Sequence, residues 1–192
     1  MRLLSTAALS IALAAVSAGV MLPQGAMAQK DKKTEAPAGP KLSLSKGFQP
    51  GAQALQKLAQ EQKWEEAKAK IAEITPTATK PDDNYFLGQI SLNVGLSLKD
   101  EALQRKALEQ LIATGLTPAA EVPKFHYYVA QFATKTNDWP AARSNFEAAA
   151  KGGFGGPGTY AVLANTYFAQ ARRQIVNNQY SPAGKQMIQP GL

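Results

Sequence analysis

Cysteine is absent from the sequence, and histidine occurs once, as His126. The lack of cysteine excludes disulfides, thiol nucleophiles and a lipid-modified cysteine behind an export signal. A zinc site would have to rely on carboxylates, which is uncommon. A Ser-His-Asp triad could use only His126, whose place beside tyrosines in a helical pattern predicts a structural or surface role. We therefore expect no catalytic residues, no metal and no cofactor, and we predict that the protein is not an enzyme.

The glycine-rich segment 153–158 matches the G-x-G-x-x-G pattern of dinucleotide-binding loops. That fingerprint requires a strand before the glycines, within a βαβ unit. Residues 147–151 have a helical pattern instead, and Pro157 occupies the turn. The glycines are therefore predicted to end one helix and to let the next begin at a sharp angle.

The first 28 residues have the pattern of a secretory signal peptide. Arg2 gives a positive start, residues 3–22 are apolar or small, and Ala26-Met27-Ala28 forms an A-x-A cleavage site. The apolar run is also long enough for a transmembrane anchor, which stays an alternative. Since N-x-S/T sequons are missing as well, we expect a bacterial protein that is periplasmic or secreted, with no stable membrane anchor after cleavage.

Residues 29–45 are charged, rich in proline, alanine and lysine, and poor in large apolar side chains. This composition predicts a flexible leader before a folded domain at residues 46–192.

The chain carries 21 Lys and Arg against 14 Asp and Glu, which gives a net charge of +7. The bases are scattered, and many lie near acids, as Lys63 lies near Glu65 and Lys99 beside Asp100. This pattern is typical of a solvated helical surface. It lacks the basic stripe with interleaved aromatics that nucleic-acid binding needs, so we expect no nucleic acid as partner. The net charge alone favours loose attraction to anionic envelope polymers.

Residues 124–154 show the clearest helical pattern. Phe125, Val129 and Phe132 recur at helical spacing, and Asp138 is a good N-cap for a second helix that ends at two glycines. A helical hairpin this short cannot bury its apolar faces alone, so it predicts neighbours of the same kind.

Similar helix pairs precede and follow this hairpin. Trp64 and Trp139 each stand just inside a second helix, where they are expected to fill space between helices rather than to bind a ligand. The segment 178–183 echoes 137–142 and predicts a last, clipped hairpin. Aligning the first helices gives repeats about 33, 42 and 34 residues apart, with the second step as the outlier. The aligned positions are Ala54, Leu87, Val129 and Leu163.

These hairpins resemble the tetratricopeptide (TPR) repeat. The matches to the family's W-x2-L-G-x2-Y and A-x3-F-x2-A patterns are Tyr160, Leu163, Ala164 and Tyr167 in a first helix, and Ala142, Phe146, Ala149, Ala67, Ile71 and Ile74 in second helices. The resemblance implies an all-α fold over residues 46–192. It implies, in particular, a right-handed α-solenoid of about three to four TPR-like hairpins, the last one cut short at Leu192.

The resemblance also implies a partner-binding groove, because TPR proteins usually hold partners along a concave face lined by first helices. If the family's concave face is transferred to this sequence by the repeat register, the residues on it are Tyr85, Gln89, Asn93, Lys124, Tyr127, Gln131, Lys135, Asn165 and Phe168. Amides can bond a peptide backbone, aromatic rings can pocket side chains, and lysine can meet an acid. The alternative is that these are ordinary solvated positions.

The sequence therefore predicts an exported scaffold or adaptor that binds a peptide or protein segment in the concave groove. The alternative is a cell-envelope structural protein that associates through the same groove with peptidoglycan or another anionic glycan.

Overall fold

The computed structural model describes residues 41–176 and 179–188. The chain divides into two units, Met1–Leu42 and Ser43–Leu192, and the description that follows concerns the second. The predicted signal peptide and most of the predicted leader lie outside the described residues. The last leader residues, Ser43 to Ser45, are described and hydrogen-bond to the helical domain.

The second unit is built from helices, which confirms the all-α prediction. The helices are α1 (Gln49–Gln60), α2 (Trp64–Ile74), α3 (Pro81–Leu98), α4 (Glu101–Ala113), α5 (Val122–Lys135), α6 (Trp139–Lys151), α7 (Pro157–Arg172) and α8 (Pro182–Ile188). One turn of 3₁₀-helix, Thr75–Thr77, follows α2. Two short strands that the sequence pattern did not predict, β1 (Ile175–Val176) and β2 (Gln179–Tyr180), pair antiparallel between α7 and α8.

Each helix packs against the helices next to it in the chain, and α1 also reaches α3. Short turns join α1 to α2, α3 to α4 and α5 to α6, so these pairs form three hairpins. The most deeply buried large apolar side chains are Phe48, Leu55, Leu87, Val94, Leu111, Val129 and Phe146. Among the described residues, no helix combines the length and the apolarity needed to cross a lipid bilayer.

The same turn closes all three hairpins. In each turn one residue adopts the left-handed helical conformation: Gln62 with φ 57°, Lys99 with φ 55° and Asn137 with φ 60°. Its N–H donates to the carbonyl three residues back. The next N–H donates to the carbonyl five residues back, at 2.8–2.9 Å. This Schellman arrangement satisfies the last carbonyls of the first helix and reverses the chain.

These turns correct the predicted repeat register. Gln62, Lys99 and Asn137 lie 37 and 38 residues apart, so the first three hairpins are nearly regular. The sequence alignment had paired Ala54 with Leu87 and made that second repeat irregular. Helix α3 has 18 residues and α1 has 12, and both end next to the turn. The extra length of α3 therefore lies at its start. Matching apolar positions from that end therefore misplaces the repeat by about one helical turn.

The predicted last hairpin is also shifted, by one residue. Ala183, expected to match Ala142, is exposed, and Gly184 is buried instead. A Cβ at Gly184 would come within 3.0 Å of a neighbouring side chain. The helix begins at Pro182, as α6 has Pro140 in its first turn, so the proline sets the register of α8.

Asp83 is a fully buried carboxylate in the first turn of α3. It accepts hydrogen bonds from the N–H groups of Thr79 and Lys80, both at 3.1 Å, and from the N–H and Oγ of Ser45 at 2.8 and 2.7 Å. Burial by itself would raise the pKa of this carboxyl. The hydrogen bonds, those from Ser45 first, outweigh it and hold the pKa of Asp83 below its ordinary value. Asp83 thereby ties the segment before α1 to the start of α3.

Replacing Lys99 with glycine is expected to stabilise the domain by about 1 kcal/mol, because the left-handed conformation costs a residue with a side chain ~1–2 kcal/mol and costs glycine little. Asn137→Gly should stabilise less, since asparagine tolerates this conformation. Urea unfolding followed by circular dichroism measures both. Lys106→Gly, at an exposed position inside α4, is the control and should destabilise by about 1 kcal/mol. A Lys99→Gly variant no more stable than the parent would contradict the turn geometry.

Asp83→Asn is expected to lower the free energy of unfolding by about 2 kcal/mol at neutral pH, because buried donors lose a charged acceptor. The pKa is lowered in the folded state, so the unfolded chain binds more protons in acid. The stabilisation is therefore complete above about pH 5 and is lost as the pH falls through the folded pKa. Urea unfolding at a series of pH values should show the gap between parent and variant closing in acid. A gap that stays constant would refute the role of the charge.

Candidate functional site

A cleft of about 430 Å³ opens between α5, α6 and α7. The cleft is open to solvent rather than enclosed. The lining residues are Gln131, Thr134 and Lys135 from α5, Trp139 and Phe146 from α6, and Val162, Asn165, Thr166 and Ala169 from α7. The third hairpin, α5–α6, and the helix that follows it, α7, therefore contribute to one site.

The base and walls of the cleft are apolar. Phe146 is almost fully buried, and Trp139 is half-buried at the start of α6. Val162 and Ala169 supply the aliphatic wall from α7. A side chain that enters this cleft would leave water for an aromatic and aliphatic surface, which is favourable in proportion to the apolar area covered.

Two amides form the polar part of the rim. The hydroxyls of Thr134 and Thr166 donate to carbonyls of their own helices at 2.9 and 2.7 Å, so they offer no spare donor. Gln131 and Asn165 are exposed on α5 and α7. Each amide can donate and accept, which matches the alternating groups of a peptide backbone.

The charged groups at the cleft are basic. Lys135 forms an ion pair with Glu101 of α4, and its Nζ lies 5.8 Å from the ring centroid of Phe132. Arg173 follows α7, and its Cζ lies 5.5 Å from the ring centroid of Trp139. None of the lining residues is acidic. Within residues 41–176 and 179–188, no group of three or more His, Cys, Asp or Glu is placed to hold a metal ion.

The structure brings together three of the residues predicted to line a groove. Gln131, Lys135 and Asn165 share the rim of this cleft. They come from α5 and α7.

The other predicted groove residues lie elsewhere. Tyr85 is buried, 5% exposed, and burial raises the pKa of its hydroxyl. Tyr127 is turned inward, with its ring centroid 5.5 Å from that of Phe146 and 5.1 Å from that of Phe154. The groove prediction placed these two tyrosines on the solvated face of their helices, whereas their rings pack toward other side chains of the protein. Both helices contact neighbours on more than one side, and helical spacing alone does not tell which side is solvated.

The remaining four predicted groove residues do not line the cleft. Gln89 is half-buried and Asn93 is exposed on α3. Lys124 pairs with Glu121 at 3.5 Å within its own turn. Phe168 is half-buried on α7.

The sequence reasoning missed the apolar part of the cleft. Trp139 was expected to be a plug between helices, but it is half-buried and forms a cleft wall. The sequence pattern around Val162 and Ala169 does not show whether these side chains line a cleft or pack between helices.

Two features of the sequence were considered as signs of catalysis or cofactor binding: His126 and the glycine-rich segment 153–158. Both have contacts or backbone geometry of a structural kind. His126 Nδ1 lies 2.7 Å from Asn145 Oδ1, which joins α5 to α6. Helix α6, not a strand, precedes the glycine segment. Gly153, Gly155 and Gly156 all have positive φ, as a sharp turn between α6 and α7 requires.

A basic side chain from each of the first two hairpins forms an ion pair with the hairpin that follows. These ion pairs help to position the helices of the cleft. Lys68 of α2 reaches Asp100, the N-cap of α4, at 2.8 Å, and Arg105 of α4 reaches Asp138, the N-cap of α6, at 2.6 Å. Each aspartate also accepts a backbone N–H of its own helix. The facing base holds the pKa of each carboxyl below its usual range. One carboxylate thus both caps a helix and docks the neighbouring hairpin.

The contact between the third hairpin and α7, the third joint between units of the chain, is made by different side chains. Arg143 has the place in α6 that Lys68 and Arg105 have in α2 and α4, but the residue before α8 is Ser181. Arg143 donates to Gln170 Oε1, and its Cζ lies 4.0 Å from the ring centroid of Tyr167. Among the described residues, the buried Arg143 Nε has no hydrogen-bond partner. An amide and a cation–π contact therefore dock α6 against α7.

Two substitutions of Asp138 separate its roles in this bridge. Asp138→Asn keeps a capping oxygen and loses the charge, so it should destabilise by about 0.5 kcal/mol, as expected for a partly exposed ion pair. Asp138→Ala loses the cap as well and should cost about 1–2 kcal/mol. Urea unfolding measures both. The effect of Asp138→Asn should largely disappear in an Arg105→Gln background, and additive effects would mean that the two side chains do not interact.

No protein-family model matches the sequence, and comparison with curated proteins and with solved structures gives no match. The site is therefore interpreted from its own residues.

Proposed function

We propose that the protein is an exported scaffold that binds a segment of another protein in the cleft between α5, α6 and α7. The observation that carries this proposal is the composition of the cleft: an apolar base at Trp139 and Phe146 under a rim of two exposed amides. This combination suits a peptide, because the base takes an apolar side chain while the amides bond the backbone beside it. It offers no group placed for covalent chemistry.

The arrangement of the helices supports the proposal. We infer an α-solenoid of TPR-like hairpins from three features: the repeated Schellman turns, the near-regular spacing and the packing of each helix on its sequence neighbours. In such a stack, consecutive first helices lie side by side, and the space between them is a natural binding groove. The secretory signal pattern at residues 1–28 supports a role outside the cytoplasm.

Selection from a phage-displayed library of random linear peptides tests the proposal. Enriched peptides, made synthetically, are titrated against the protein in a Trp64→Phe background, where Trp139 is the one remaining tryptophan and reports on the cleft. Val162→Glu puts a charge on the aliphatic wall and is expected to weaken binding at least about tenfold, which is about 1.4 kcal/mol. Ala169→Leu, which fills the cleft without a charge, should weaken binding too.

Ala161→Glu is the matched control, because Ala161 precedes Val162 on α7 and is exposed and outside the cleft lining. It should bind as the parent does, and circular dichroism checks that all variants fold. Failure to enrich any peptide, or equal affinities for Val162→Glu and Ala161→Glu, would rule out the cleft as the binding site.

A further inference from the structure

The cleft has two cations at the same end. Lys135 is the last residue of α5, and Arg173 directly follows the last residue of α7. Lys135 lines the cleft, and Arg173 lies over Trp139, which also lines it. Both cationic groups therefore border the part of the cleft where these two helices end.

The two cations have equivalent positions but different partners. Each follows or ends a first helix and faces the first residue of the preceding second helix. For Lys135 that residue is Glu101, which neutralises it, and for Arg173 it is Trp139. Within the described ranges, Arg173 has no salt bridge. Among the described residues, the charge that Glu101 balances at Lys135 therefore has no carboxylate partner at Arg173.

A guanidinium over an aromatic ring is well suited to take a carboxylate. The exposed guanidinium of Arg173 lies near the indole of Trp139, and its N–H groups remain able to bond two carboxylate oxygens side by side. The neighbouring indole adds apolar surface for the carbon chain that carries the acid. No lining residue is acidic, and the carboxylate of Glu101 at this end is already paired with Lys135.

We propose that the segment bound in the cleft carries an aspartate or glutamate whose carboxylate pairs with Arg173, next to the apolar side chain that enters the cleft. This inference rests on the proposed function and specifies its partner: an acidic, amphipathic protein segment. The partner's carboxylate takes at Arg173 the role that Glu101 takes at Lys135.

The test uses the synthetic peptides enriched from the random library, all with amidated C-termini, so that only side chains supply carboxylates. We expect these peptides to share an acidic residue close to an apolar one. Arg173→Gln should weaken their binding about tenfold. Arg172→Gln is the matched control, because Arg172 is the exposed neighbour on the same turn, and it should bind as the parent does. Arg173→Lys should keep part of the affinity.

A double-mutant cycle assigns the contact. Changing the peptide's acid to its amide should weaken binding to the parent about tenfold and should have little effect on Arg173→Gln. If peptides bind and Val162→Glu abolishes binding, but Arg173→Gln and Arg172→Gln behave alike, the acid recognition is refuted and the cleft proposal stands. Equal effects of the amide peptide on parent and Arg173→Gln also refute it. If no peptide is enriched, both proposals fail.

Discussion

The left-handed residue in each hairpin turn is the constraint on which the rest of the structure depends. It fixes where a first helix stops and places the start of the second helix two residues later. The angle between the paired helices and the set of side chains between them follow from that geometry. Lysine, glutamine and asparagine hold these positions at some cost in free energy, which the packing of the hairpins must exceed.

The contacts between hairpins repeat with the turns. At the first two joints, an aspartate that caps one helix also binds the base of the preceding hairpin, so capping and docking cannot vary independently. At the third joint this coupling is missing, and aromatic and amide contacts replace it. The cleft borders this third joint. Where the repeated contact is interrupted, apolar and basic groups remain at least partly exposed. At the regular contacts between hairpins, groups of this kind are paired or packed within the protein.

The proposed function assigns the side chains around the cleft to recognition of a partner. In that proposal the apolar base takes an apolar side chain, the two amides bond the backbone, and the cations pair with an acid. Peptidoglycan recognition through the same groove would be expected to rely more on the amide rim and less on the buried base at Phe146. The proposed scaffold therefore depends on how three helices meet rather than on any one residue.

The sequence by itself determined the all-α class and the presence of most of the helices. Helical spacing and the cap Asp138 are local features, and the structure begins α6 directly after Asp138. It also determined the absence of thiol chemistry. Gln131, Lys135 and Asn165 could be placed on one surface because the aligned positions of α5 and α7 correspond.

Only the tertiary structure decided which side of each helix is solvated. Tyr85 and Tyr127 have the same spacing as exposed groove residues, yet neighbours on several sides bury or turn them inward. The turn geometry, and not the apolar pattern, set the repeat register, because α3 is longer than the other first helices of the regular hairpins. Trp139 became a cleft wall because the adjoining hairpin leaves one side of it open. A period of 3.6 residues fixes which side chains share a face, but the packing of neighbouring helices decides what that face meets.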